Sequence, residues 1–351
     1  MQDIRILIVG TGGMANHHAE HYAKIPGVKI VAGIDTNAER LAAFQAKFDV
    51  PNGFASVDAA LAWGEFDAVS NVTPDAVHFA TTMPFLAAGK HVMCEKPLAS
   101  NYAHAAEMAA AAQKAGVVNM VNFTYRNGPA LMKAAEMVAQ GAIGDVRHFE
   151  ASYLQSWLTQ PAWGEWSTES QWLWRLSTAH GSLGVLGDVG VHILDFATLV
   201  AGAAPADLSC RLTTFDKAPG GKIGEYTLDA NDSFTMHTRL ENGAVGVVHA
   251  TRMASGHFND LFLRIFGTKG GLDVRWENNQ SILRASVGDD MLRAEWKDIE
   301  VGEVKMNYER FIDAIRAGRQ ETPDFARGAT MQKVLDLAVE SDKQGCKTLT
   351  V

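Results

Sequence analysis

The triplet Glu95-Lys96-Pro97 closes a short apolar run, His91-Val92-Met93-Cys94, with the composition of a buried strand. It puts an ammonium where parallel sheets bind ligands, beyond the carboxyl ends of their strands. Pro97 has a fixed φ and also restricts Lys96, so the lysine is held. Taken alone, the triplet reads better as a surface lysine before a turn proline. The residues on either side of it in the chain reverse that reading. Upstream, Gly10-Thr11-Gly12-Gly13-Met14-Ala15 follows a strand and opens a helix. Downstream, Asp188 and His192 are spaced i, i+4 and share one face if helical. That spacing suits an acid–base pair in which a carboxylate orients an imidazole. The alternative for the pair is an N-capping Asp and a satisfied core His.

Gly10-x-Gly12-x-x-Ala15 in that context is a dinucleotide fingerprint. The first Gly permits the tight turn and the second admits the pyrophosphate. The third small residue lets helix and strand pack closely. Asp35 ends the second strand, 25 residues after Gly10. An acid there accepts from ribose hydroxyls and repels a 2′-phosphate, and Thr36 and Asn37 supply no arginine to hold one. NAD is therefore expected over NADP, held by Gly10, Thr11, Gly12, Gly13, Met14, Asp35 and Thr36. Asn71-Val72-Thr73-Pro74 ends the next strand at the same edge of the sheet and lines the nicotinamide-ribose side. His78, one turn into the next helix, is included in the expected cofactor set and reads as a packing or cap residue rather than a catalyst.

The elements that must position these groups alternate. Apolar strands are expected at 4–9, 28–34, 67–72, 91–94 and 117–123, with helices between them. This is the pattern of a doubly wound parallel sheet. After about residue 123 the pattern changes to many strand-like runs with hairpin signals such as Asn242-Gly243. Helices are expected at about 129–140, 188–201, 303–317 and 327–343, and a loop at 216–230. The expected organisation is a nucleotide-binding α/β domain over 1–123 and an α+β domain over 124–351. The second is built on a large open, mostly antiparallel sheet.

The bulk numbers agree with two globular domains. The chain has 351 residues, 47% apolar and 20% charged, with a net charge of −9 that is not clustered into a basic stripe. Nucleic acid and anionic membranes are not expected partners. Cys94, Cys210 and Cys346 have no CxxC spacing and suggest a reducing compartment without a zinc site. No metal motif occurs. Met1 to Arg5 runs straight into a strand with no leader pattern, so a cytoplasmic location is expected.

Together these strings resemble the family of glucose–fructose oxidoreductase, inositol dehydrogenase and the rhizopine-catabolism protein. The resemblance rests on GTGGMA at 10–15, Asp35, and Asn71-x-Thr-Pro74-x3-His78. It continues in Gly89-Lys90-His91-Val92-x-Cys94-Glu95-Lys96-Pro97 and Gly187-Asp188-x-Gly190-x-His192-x-x-Asp195. It implies an N-terminal Rossmann domain, a C-terminal sheet that makes a homodimer or homotetramer, and an enzyme acting on sugars, inositols and related polyols. Glu95, Lys96 and Pro97 join the cofactor set. His192 becomes the general base that takes a hydroxyl proton as hydride leaves carbon. Lys96 hydrogen-bonds the reacting oxygen, and Asp188 orients His192 or binds a neighbouring hydroxyl.

The substrate set adds Tyr125, Arg126, Trp157, Trp174 and Arg175. Five of the eight tryptophans fall at 157–174, where indoles could stack on ring C–H faces or simply form a core. Arg175 could fork onto hydroxyls or a carboxylate, and either arginine could be a structural ion-pair partner. Ser182 and Leu183 depart from the glycines and alanines common in the family ahead of Asp188. The expected reaction is NAD-dependent oxidation of a secondary ring hydroxyl. The alternatives are a glycosidase using transient oxidation, a uronate dehydrogenase, and a non-catalytic NAD-binding regulator.

Overall fold

The computed structural model describes residues 3–351. Met1 and Gln2, part of the leader reading, lie outside the described residues. The chain divides into two compact units. The first comprises 1–124 and 305–332, and the second 125–304 and 333–351.

In the first unit, β1 (Ile4–Val9), β2 (Val28–Ile34), β3 (Asn52–Phe54), β4 (Ala68–Asn71), β5 (His91–Cys94) and β6 (Asn119–Val121) form one parallel sheet. Its order is β3-β2-β1-β4-β5-β6, so the winding reverses between β1 and β4. Helices α1 (Gly13–Tyr22), α2 (Ala38–Phe48), α3 (Val57–Trp63), α4 (His78–Ala87) and α5 (Tyr102–Ala115) connect the strands. Strand β1 is apolar throughout except Arg5 because a parallel sheet is covered on both faces. Ile6, Leu7 and Ile8 are fully buried, each worth roughly 1.5–3 kcal/mol. Helix starts are set by local chemistry. Asn37, Ser56 and Asn101 each accept a backbone N–H at the first turn of α2, α3 and α5.

The helix Asn307–Ala317 also belongs to this unit. Tyr308, Phe311 and Ile312 pack into the same core as Ile4, Ile6, Ala19 and Tyr22. The expected organisation has a single boundary at 123/124, whereas 305–332 is grouped with the first unit. The physical reason is that β1, β4 and β5 leave an apolar surface that this amphipathic helix covers.

The second unit is built on a nine-stranded sheet. Its central pair, Val146–Gln155 and Val245–Thr251, is parallel and its other pairings are antiparallel. The strand Ser233–Leu240 alternates buried and exposed from Phe234 onward, as a sheet covered on one face requires. Helices Pro129–Ala139 and Val191–Ala201 pack on the covered face. One side of the sheet ends with Gln280–Val287 and the short edge strand Lys297–Asp298, and the other with the short edge strand Leu349–Thr350. Part of the 216–230 loop forms a small ribbon, Lys222–Ile223 with Tyr226–Thr227. Among the described residues, no helix is long and apolar enough to cross a membrane.

Candidate active site

The turn after β1 has the geometry that a dinucleotide requires. Gly10 has φ +82°, and a Cβ there would meet Val72 O at 2.9 Å. Gly12 and Gly13 have open space where a side chain would stand, and no side chain caps the start of α1. The helix-end amides are thus left for an anion. Thr11, Gly12, Gly13, Asn16, Arg40 and Lys47 line a cleft of about 480 Å³ there. These residues fit the pyrophosphate and adenosine portions of NAD. Met14 and Thr36 are exposed beside them.

Asp35 is 7% exposed. Its Oδ2 accepts from Thr11 N and Oγ1, both at 2.9 Å, and its Oδ1 accepts from Asn37 N at 2.8 Å. Burial pushes its carboxyl up, but the Asn37 and Thr11 donors and Arg40 outweigh burial and hold it below the ordinary value. A carboxylate offers about four acceptor sites, so one remains for a ribose hydroxyl. Arg40, whose guanidinium lies 3.8 Å from Asp35, carries no local sequence signal because it stands inside α2 and not in the two residues after the strand.

Asn71 is fully buried, and its amide is spent inside the unit. It donates to Thr81 and Thr82 and accepts from Thr73 N and Oγ1, which shapes the Thr73-Pro74 turn. Glu95 also turns inward, onto His18 and Asn122. Lys96 is half-buried at the carboxyl end of β5, on the same sheet edge as Gly10, Asp35 and Asn71. His78 is buried with Nδ1 on Pro97 O and Nε2 on Thr73 O, each at 2.8 Å. Carbonyls only accept, so both ring nitrogens donate and the ring is an imidazolium. Burial opposes the charge, but Cys94, Asp75 and the Pro97 carbonyl raise its pKa to about 10.

A group raised above its ordinary 6.5 stabilises the fold fully below that value. It loses that contribution as pH rises through about 10. The melting temperature of the parent therefore falls more steeply between about pH 6.5 and 10 than that of His78→Gln. Parallel pH–melting curves for the two proteins would refute this.

In the second unit, Asp188 sits in a π-turn, Leu186–Gly190, that runs into the helix bearing His192. Such turns are frequent at functional sites. Two glycines make this one possible. A Cβ on Gly187 would lie 2.2 Å from Leu183 Cβ, and one on Gly190 would lie 2.9 Å from the Phe234 ring. Asp188 Oδ2 accepts from Arg175 Nη1 and Arg252 Nη2, each at 3.1 Å. Arg252 is fully buried, lies over the Trp157 ring at 4.9 Å, and donates to Arg175 O. No motif flagged it, since nothing local marks a residue just past a strand. Ser182, the departure from the family pattern, donates to Arg175 O and accepts from Gly184 N, so it shapes this loop.

His192 is 6% exposed and meets the Tyr125 ring edge-on at 5.1 Å. Tyr125, Tyr153 and Asn259 form a hydrogen-bonded cluster beside it. Burial pushes the Tyr125 phenol up to about 12, so it serves as a neutral donor. Arg126 is the structural ion-pair partner of the two readings. It is 2% exposed, and its Nε and Nη2 fork onto Asp195 at 2.8 and 2.6 Å. Trp157 is 2% exposed and anchors an apolar cluster with Leu158, Leu173 and Leu176, against which Trp163, Trp166 and Trp172 pack. Trp174 alone of the five is exposed, with the Arg175 guanidinium 4.8 Å above its ring.

A doubly wound unit with a glycine turn, an acid after β2 and a lysine beyond β5, followed by a unit with an Asp–His turn, defines a nicotinamide-dependent oxidoreductase. The profile of the NAD-binding Rossmann oxidoreductase family matches residues 4–123, and that of the GFO/IDH/MocA C-terminal domain matches 131–273. The chain belongs to the Gfo/Idh/MocA family. It is 27% identical to levoglucosan dehydrogenase of Pseudarthrobacter phenanthrenivorans over 97% of this chain and 96% of that one. It is 31% identical to scyllo-inositol 2-dehydrogenase (NADP+) of Bacillus subtilis over 68% of this chain and 70% of that one. The structure of levoglucosan dehydrogenase with NADH and levoglucosan superposes over the full length of both chains, with a TM-score of 0.87 and 25% identity.

The NAD preference has a direct test. Like charges placed together cost several kcal/mol, and Arg40 stands ready to pair with a phosphate. Asp35→Ser should raise the NADP-to-NAD ratio of kcat/KM by about 10²-fold. An unchanged ratio would show that Asp35 acts only by pinning the glycine turn.

Proposed function

We propose that this protein is an NAD-dependent dehydrogenase of a secondary hydroxyl on a neutral cyclic polyol: a sugar, glycoside or inositol. One observation carries the reading: Lys96 emerges on the sheet edge that carries the dinucleotide turn, one strand beyond the β1/β4 reversal. NAD, held by the Gly10–Gly13 turn and Asp35, would supply the hydride acceptor. Lys96 hydrogen-bonds the reacting oxygen and stabilises the negative charge that develops on it. His192, steadied by the Tyr125 ring, takes the hydroxyl proton. Asp188, held by two guanidinium groups, accepts from a neighbouring hydroxyl. Trp174 offers a stacking face for the ring. The levoglucosan and inositol dehydrogenases among the relatives support the substrate class.

We also propose a homo-oligomer formed through the open face of the large sheet. Val245 is 48% exposed there, and Val247, Phe262 and Phe266 are half-buried beside it. Apolar side chains gathered on an open sheet face are usually covered by a partner.

The test is nicotinamide reduction, with NAD and with NADP, across inositols, aldoses, glycosides, anhydrosugars and uronates. Turnover on a neutral polyol supports the reading. Turnover confined to uronates would move it to acid substrates, with Arg175 as the carboxylate partner. Tight NAD binding with no net reduction would favour a glycosidase that oxidises its substrate transiently.

A further inference from the structure

Lys96 is flanked by two buried histidines that no step above uses. On its amino side, Glu95 Oε1 accepts from His18 Nε2 at 2.8 Å and from Asn122 Nδ2 at 2.6 Å. Glu95 Oε2 accepts from Lys96 N at 3.3 Å. His18 is fully buried on α1, the helix that opens at the dinucleotide turn. Its Nδ1 meets Ser70 Oγ of β4 at 2.7 Å, and the Tyr308 ring stands edge-on at 4.9 Å. On the carboxyl side, His78 of α4 ties Pro97 O to Thr73 O.

We propose that His18 and His78 are positioning residues for Lys96, His18 acting through the Glu95 carboxylate and His78 through the Pro97 carbonyl. The assignment rests on the role given to Lys96 above. A lysine side chain has four flexible methylenes, so its reach is defined only if its backbone is. Here that backbone is fastened on both flanks, each time to a helix that follows a cofactor-side turn. Both fastenings carry charge inside the fold. Burial raises Glu95, but His18 and Asn122 outweigh it and hold its carboxyl at about 2. Well-packed apolar residues would often stabilise a core as well or better than a buried ion pair. A stability role alone therefore does not account for two charged fastenings beside one functional lysine.

The experiment is a double-mutant cycle on the full chain, with the polyol found in the substrate panel. His18→Gln and His78→Gln are made in the parent and in Lys96→Ala, and NADH affinity is read by its fluorescence. Displacement of a catalytic group by about 1 Å costs about 10²-fold in rate. Each histidine variant should lose about that much kcat in the parent and keep NADH affinity within about twofold. In Lys96→Ala, each should change kcat by less than about twofold. Equal losses in both backgrounds, or NADH affinity falling together with kcat, would overturn the proposal in favour of a merely structural role. Should His18→Gln fail to fold, Glu95→Gln keeps the side-chain shape and runs the same cycle. Histidine variants as fast as the parent, beside a crippled Lys96→Ala, would sink the proposal alone. A Lys96→Ala protein as fast as the parent would remove the role of Lys96 itself, and the proposal with it.

Discussion

Replacing Lys96 with alanine should lower kcat about 10²–10³-fold, the usual loss when one donor to a developing oxyanion is removed. NADH binding should survive, because the cofactor's phosphates are served by the turn after β1 and the uncapped start of α1. His192→Ala should cost about 10²–10⁴-fold, the range for a positioned general base. It should also remove the acid limb of the pH–rate profile, while Lys96→Ala leaves that limb in place. The two changes together should cost far less than the product of the two losses if both groups serve the same proton-and-charge event. Steady-state rates at saturating NAD and polyol decide this. A His192→Ala enzyme that keeps its acid limb would assign the base elsewhere.

The largest expected effect on stability is at Arg126. Its fork onto Asp195 has both side chains about 3% exposed. Removing one partner of such a pair leaves an uncompensated buried charge, which costs about 3–5 kcal/mol. Arg126→Ala should lose about that much by urea unfolding, while Arg126→Met combined with Asp195→Leu should recover most of it. Activity should fall in Arg126→Ala as well, since Asp195 lies on the helix that carries His192. A loss under about 1 kcal/mol would mean that water reaches Asp195 once the guanidinium is gone.

Much of this protein is written in short strings. The glycine turn, Asp35, Lys96 and the Asp188–His192 spacing are local patterns. Each needs only one strand end or one helix turn to become a geometry. The alternating strands and helices before residue 123 are equally local, because a sheet covered on both faces demands continuous apolar strands.

What the tertiary structure decided are the meetings of residues far apart in the chain. It returned Asn307–Ala317 to the first unit's core, where Tyr308 borders His18. It set Arg252 on Asp188, turned Glu95 onto His18, and spent Arg126 on Asp195. It gathered four of five tryptophans in an apolar cluster and left Trp174 outside it. A buried charge must find an opposite charge or a donor wherever the fold supplies one, and no periodicity records that partner. The sequence by itself therefore determined which chemical groups are present and on which local elements they ride. Only the folded chain decided which of those groups face solvent and a ligand and which neutralise one another.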